Sequence, residues 1–333
     1  MSAAVGLSFR AESDPSRIEA ISQAAARYSF PALSVWDDLG DPPPWPLLLA
    51  LAERDRLARL GVACLAVPKY ASLDGVVGVM AAVSQMRRGP VFIGLASGAW
   101  LDQVGLKGAS VQQISEAAGV IQYLWRRETT GFEGRYYSVA PGFRLNFDTP
   151  AAVPGLMIGG WGERVLHLAG QIAEEVKLGG TAASDLAAIA RARIEPGALA
   201  AGRDPRHIGV VLGAVTIVDT DGKAAMAEAR RRAAPYIAVI GKHDPFAAQW
   251  FPDALDAIER AANAGHLELA AASVPDDLLR RFAFAGTPDD VIRQVEAALS
   301  AGATRVDFGS PHGLDPIGGI GLIGERVLPY FDA

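Results

Sequence analysis

The chain has 333 residues, half of them hydrophobic and a fifth charged, with a formal net charge of −6 at pH 7. That composition supports a sizeable core and excludes intrinsic disorder, and the dispersed lysines and arginines argue against a nucleic-acid partner. A single cysteine, Cys64, rules out an intramolecular disulfide and a cysteine-based metal cluster, and the five histidines form no HxxxH or HExxH pair, so no metal site is expected.

Residues 5–9 are a short apolar run, after which Asp14-Pro15-Ser16 opens a stretch where Ile18, Ile21, Ala24 and Ala25 recur at helical spacing. This strand-then-helix unit repeats with 32–36 and a helix over 47–60, with 61–66 and 74–86, and with 91–95 and 111–125. From 129 to 153 the helical period vanishes and an extended, partly paired excursion is predicted. The units resume at 156–158, at 175–179 with a helix after Ser184, and at 208–218 with a helix after Asp221. Residues 241–285 read as an irregular insertion with weak helical patches; then come a helix over 288–301, the strand 305–308 and a closing helix ending near Tyr330.

Strands that are apolar throughout are buried on both faces, the mark of parallel strands covered by helices. Eight of them, joined by right-handed crossovers, predict an α/β fold: a (β/α)₈ TIM barrel forming one domain over 1–333, with 241–285 inserted before the last strand. No apolar run approaches the ~20 residues needed to span a bilayer, and the N-terminus has no charged segment leading into a long apolar one, so a cytoplasmic protein starting near Met1 is expected.

A barrel of this kind binds its ligand at the C-terminal ends of the strands. After the second strand stand Asp37 and Asp38, of which at most one faces the pocket. A carboxylate there serves as a general base or proton relay if burial raises its pKa, or else as a turn or helix-capping acid. After the third strand come Ala63 and Cys64, then Lys69, which is either an anion contact or a solvated side chain. After the fourth, the small residues Ala96, Ser97 and Gly98 would let a flat ring lie against the backbone, with Trp100 as wall or core filler.

The fifth strand stops in Gly159-Gly160-Trp161-Gly162 and a helix follows without a gap. Glycines there leave backbone N–H groups open to a ligand, and the helix start adds a partial positive charge, so the turn suits a phosphate; alternatively its glycines serve geometry alone. Its spacing is not the G-x-G-x-x-G of a dinucleotide site. Lys177, amid apolar neighbours, needs a buried partner, and His312 either donates to a substrate or is structural.

Three stretches carry a resemblance: VFIGLASGAW with the later GLKG, the run from Gly134 through PGLMIGGWGERVLHLAG, and FAGTPDDVIRQVEAALSAGATRVDFGSPHGLDP. They resemble the luciferase-like superfamily of flavin and deazaflavin oxidoreductases, within it the methylenetetrahydromethanopterin reductase group, over nearly the whole chain. The resemblance implies a homodimeric barrel that binds coenzyme F420 and a small-molecule substrate. It implies phosphate at Gly159, Gly160, Trp161 and Gly162, the ring near Ala96, Ser97 and Gly98, and a non-prolyl cis peptide at Ala63-Cys64 backing that ring. Asp38 or Asp37 would then transfer the proton. The chain departs from the group at Ser8, where the reductases carry glutamate, at Asp38, where histidine is usual, at Trp161, and at Glu174-Glu175, where Asp-Gly is usual. The alternatives are an FMN-dependent monooxygenase, direct use of a nicotinamide, and a barrel that binds a flavin or other ligand without catalysis.

Overall fold

The computed structural model describes residues 4–331. Among them, eight strands pair in parallel in chain order: β1 (Val5–Phe9), β2 (Ala32–Asp37), β3 (Arg59–Ala66), β4 (Val91–Ala96), β5 (Gly155–Gly159), β6 (Glu175–Gly179), β7 (Gly209–Val218) and β8 (Arg305–His312). The ring closes where β8 lies beside β1, with Leu7 opposite Phe308 on one side and Leu33 on the other. Helices cover the outside, so the predicted TIM barrel is the fold.

Helices α1 (Pro15–Arg27), α2 (Trp45–Arg54), α3 (Asp74–Gln85), α4 (Val111–Trp125), α5 (Glu163–Ile172), α6 (Asp185–Ala200) and α7 (Gly222–Ile240) follow the first seven strands. Their starts obey local chemistry. The Asp14 and Asp221 carboxylates accept from the first free N–H groups of α1 and α7, and the helix Pro288–Ser300 opens on a capping box between Thr287 and Asp290.

One boundary departs from the periodicity. The helix expected over 47–60 stops at Arg54, because the Asp55 carboxylate takes the N–H groups of Leu57 (2.9 Å) and Ala58 (3.0 Å), and Arg59 already bonds Pro31 as the start of β3. The excursion at 129–153 contains one small antiparallel pair, Phe132–Glu133 with Ser138–Val139. The segment expected to be irregular between 241 and 285 is mostly helical, with helices Pro245–Trp250, Pro252–Asn263, Leu267–Ala272 and Asp276–Phe282. It ends in a further parallel strand, Ala283–Gly286, which pairs with Val215–Val218 beyond the point where β6 stops.

Apolar side chains form three clusters. The largest packs between strands and helices, a second joins α7 to the helices before Ala283, and Ala63, Phe92, Met157 and Val211 form a third inside the ring. Among the described residues no helix is long and apolar enough to cross a membrane.

Helices α5 and α6 cross at backbone contact. A Cβ on Gly197 would lie 2.0 Å from the carbonyl oxygen of His167, and one on Gly170 2.3 Å from that of Ile194. Gly197→Ala is therefore expected to force the pair apart at a cost of about 1–3 kcal/mol, read as a lower midpoint in thermal or urea unfolding; a midpoint equal to wild type would contradict this packing.

Candidate active site

Side chains alternate across a strand, and inside the ring that alternation sorts residues by depth. Glu175, Lys177 and Gly179 of β6 point inward, as do Arg305, Asp307 and Gly309 of β8. The lower pairs are charged and interlocked. Arg305 spans Glu175 (2.5 Å) and Asp307 (2.7 Å), and Lys177 Nζ donates to Asp307 (3.2 Å) and to Ser8 Oγ (3.0 Å). Ser34 Oγ in turn donates to Ser8 (2.9 Å). Burial works against the Asp307 charge, but Arg305 and Lys177 outweigh it and hold the carboxyl below the usual carboxylate range.

Above this layer five of the inward positions carry no side chain larger than a methyl group. Ala96, Gly159, Gly179, Gly213 and Gly309 leave a cavity of about 300 Å³ at the C-terminal ends of the strands, the place where such barrels bind. A Cβ on Gly159 would lie 2.8 Å from Cys64 Sγ, whereas one on Gly179 would meet nothing within 4 Å and would stand in the open space. The Ala63–Cys64 peptide bond is cis, and the pairing of β3 with β4 shifts between Val62 and Leu65, so the strand bulges toward the cavity. Cys64 is half-buried, and loss of hydration pushes its thiol pKa up to about 12, so it stays protonated at neutral pH.

Asp37 and Asp38 fall in opposite environments. Asp37 is held by Lys69 Nζ (2.5 Å), the Tyr70 hydroxyl (3.1 Å) and the Ala66 N–H (3.3 Å). Asp38 follows Ser34 and Trp36 on the inward face of the β2 segment and accepts from the Tyr236 hydroxyl at 3.3 Å. Burial, with Asp41 adding repulsion, pushes the Asp38 carboxyl up to about 6, which poises it to exchange a proton near neutral pH. Tyr236 comes from α7, and its ring meets Trp100 edge-on at 5.4 Å, so the two form one side of the mouth.

Of the residues singled out in the sequence, Asp37, Asp38, Ala63, Cys64, Ala96, Ser97, Gly98, Gly159, Gly160 and Trp161 all line this cavity. The Ser97 hydroxyl donates to Ala109 O (3.0 Å) and closes the loop after β4. Gly162 lies outside the lining as N-cap of α5 and offers no side-chain cap, so first-turn N–H groups keep no side-chain partner. Trp161 donates from Nε1 to Gly179 O (3.0 Å), and Arg193 braces its carbonyl (3.0 Å).

Sequence reading passed over Trp36, Tyr236, Phe282 and Asp307, all of which line the cavity. Asp307 had a signal, an acid inside an apolar strand, matching that of Lys177. Tyr236 had none, since it sits on an ordinary polar helix. Lys69 belongs to the Asp37 ion pair. Among the described residues no group of three His, Cys, Asp or Glu side chains is placed to hold a metal ion.

A profile of the family described as luciferase-like monooxygenase matches residues 2–305. A 5,10-methylenetetrahydromethanopterin reductase of Archaeoglobus fulgidus is 27% identical over 297 residues, 86% of each chain. An F420-dependent glucose-6-phosphate dehydrogenase of Microbacterium testaceum is 27% identical over 297 residues, 86% of this chain and 81% of that one. Among solved structures, the coenzyme F420-dependent tetrahydromethanopterin reductase of Methanopyrus kandleri superposes with a TM-score of 0.88 at 22% identity, covering 99% of this chain and all of that one.

His312 does not reach the cavity lining. It is 1% exposed, packs against Phe9 and bonds the Phe308 carbonyl, and burial pushes its pKa down to about 4. The folded value lies below the ordinary one of about 6.5, so the unfolded chain takes up a proton that the native state refuses, and stability falls as pH drops from about 6.5 toward about 4. The loss is expected to reach up to about 3 kcal/mol. His312→Asn, a residue that tolerates the left-handed backbone at this position (φ 79°), should flatten that part of the curve of unfolding midpoint against pH. An unchanged curve would contradict the assignment.

Proposed function

The chain belongs to the luciferase-like monooxygenase family, and we propose that within it the protein is an F420-dependent oxidoreductase, moving a hydride between the deazaflavin and a small organic substrate. Relatives named as F420-dependent dehydrogenases support the cofactor. The observation that carries the reading is the side-chain-free floor above a charge-balanced base, with one proton-exchanging carboxyl at its edge.

The residues present fit the cofactor on two counts. A flat ring needs a floor without projecting side chains, which Ala96, Gly159 and the bulge at Ala63-Cys64 offer; a Cβ at Gly159 would already crowd the Cys64 sulfur. A phosphate-bearing tail needs unspent donors, which the uncapped start of α5 after Gly160, Trp161 and Gly162 offers. Bound there, F420 supplies the two-electron chemistry.

This chain's own groups supply the rest. In this reading Ser97 and Gly98 border the ring, and the hydroxyl of Tyr236 orients Asp38. Asp38 gives or takes the proton that accompanies hydride transfer. Asp37, which accepts from three donors, fixes the Lys69–Tyr70 loop. The same reading takes 1–333 as one domain with 241–285 inserted before β8, and the protein as a cytoplasmic homodimer.

A titration of the purified protein with F420 and with FMN is expected to give saturable binding of F420 and at least about tenfold weaker binding of FMN. Tighter FMN binding would favour the oxygen-inserting chemistry of other luciferase-like enzymes instead. Asp38→Asn should keep F420 affinity and lower turnover by about 10²–10⁴-fold, and in wild type the direction that needs the protonated acid should slow as pH rises above about 6. Full turnover in the variant would remove Asp38 from proton transfer.

A further inference from the structure

Resting on the reading of this cavity as a hydride-transfer site, we propose that its substrate is uncharged and largely apolar.

The first observation is the charge of the walls. Among the described residues lining the cavity, Lys177 is the one basic side chain, and it is committed to Asp307 and Ser8. The network around it is balanced: Lys177, Arg305 and Arg59 face Asp307, Glu175 and Glu174, three cations against three carboxylates. Asp37 has Lys69, which leaves Asp38 as the lining carboxyl with no ion-pair partner among the described residues. An anionic substrate would give up its hydration for a wall that offers no free cation and an acid. A cationic one would lock Asp38 in an ion pair and remove it from proton exchange. What remains around the space is apolar or aromatic: Trp100, Val215, Val239, Ile240 and Phe282.

The second observation concerns the indole on the same wall. Trp36 stands between Ser34 and Asp38 on the inward face of β2 and lines the cavity, yet its Nε1 has no accessible surface, so the residue offers a ligand no donor.

Four ring compounds of one size separate the possibilities: cyclohexanone, cyclohexanecarboxylate, cyclohexylamine and methylenecyclohexane. Their binding to the F420-loaded protein at about pH 8, where the acid and the amine are charged, is read from the quenching of tryptophan fluorescence. Cyclohexanone and methylenecyclohexane are both expected to bind at least about tenfold tighter than the anion and the cation. Anion or cation binding as tight as that of the neutral compounds would overturn the proposal. If F420 itself does not bind, the cofactor reading fails, and the same series on the protein alone still decides the charge of the substrate.

Discussion

The interior of a closed parallel ring is a confined space in which every second residue of every strand must be accommodated, and this protein fills it in two unlike layers. The lower one is ionic: Lys177, Arg305, Asp307 and Glu175 satisfy one another with short contacts. Buried charges cost several kcal/mol each unless paired and hydrogen-bonded, so removing one partner would strand another. The upper one is open on one side, because Ala96, Gly159, Gly179, Gly213 and Gly309 occupy five of its inward positions. A firm base beneath an open top is what makes a cavity in a fold whose centre is otherwise packed solid.

The same alternation divides two adjacent aspartates. Asp37 is tied to a loop that supplies three donors, and Asp38, on the strand face of Ser34 and Trp36, lies where burial and Asp41 raise its proton affinity. One residue of register separates an anchored carboxylate from one poised near neutral pH. Chemistry at the mouth therefore depends on the register of β2, which the pairing with β1 and β3 fixes, including the shift between Val35 and Asp37.

The segment before β8 contributes at a distance. Its strand Ala283–Gly286 extends the wall beside β7, and its helix Asp276–Phe282 brings Phe282 to the cavity. Arg281, next in line, bridges Asp185 and the fully buried Asp244, tying the segment to α6. Together with α7, which presents Tyr236, Val239 and Ile240, this part of the chain encloses the β7 side of the mouth with apolar surface, against which Trp161 of the glycine turn also packs.

By itself the sequence determined the number and order of the barrel strands and the addresses of most lining residues, because continuous apolar runs and abrupt glycine turns are local signals. VFIGLASG and GLMIGGWG announce where strands end, and in a closed barrel strand ends are the site. The stop of α2 at Arg54 and the strand at Ala283–Gly286 were hidden, since the first depends on an aspartate turning back on its own loop and the second on a partner strand more than sixty residues away. Only the tertiary structure decided which aspartate faces inward, that Lys177 has Asp307 as its partner, and that Tyr236 reaches Asp38 from a helix almost two hundred residues later. Burial and proton affinity are properties of a neighbourhood, and the neighbours of these groups are assembled only when the ring closes.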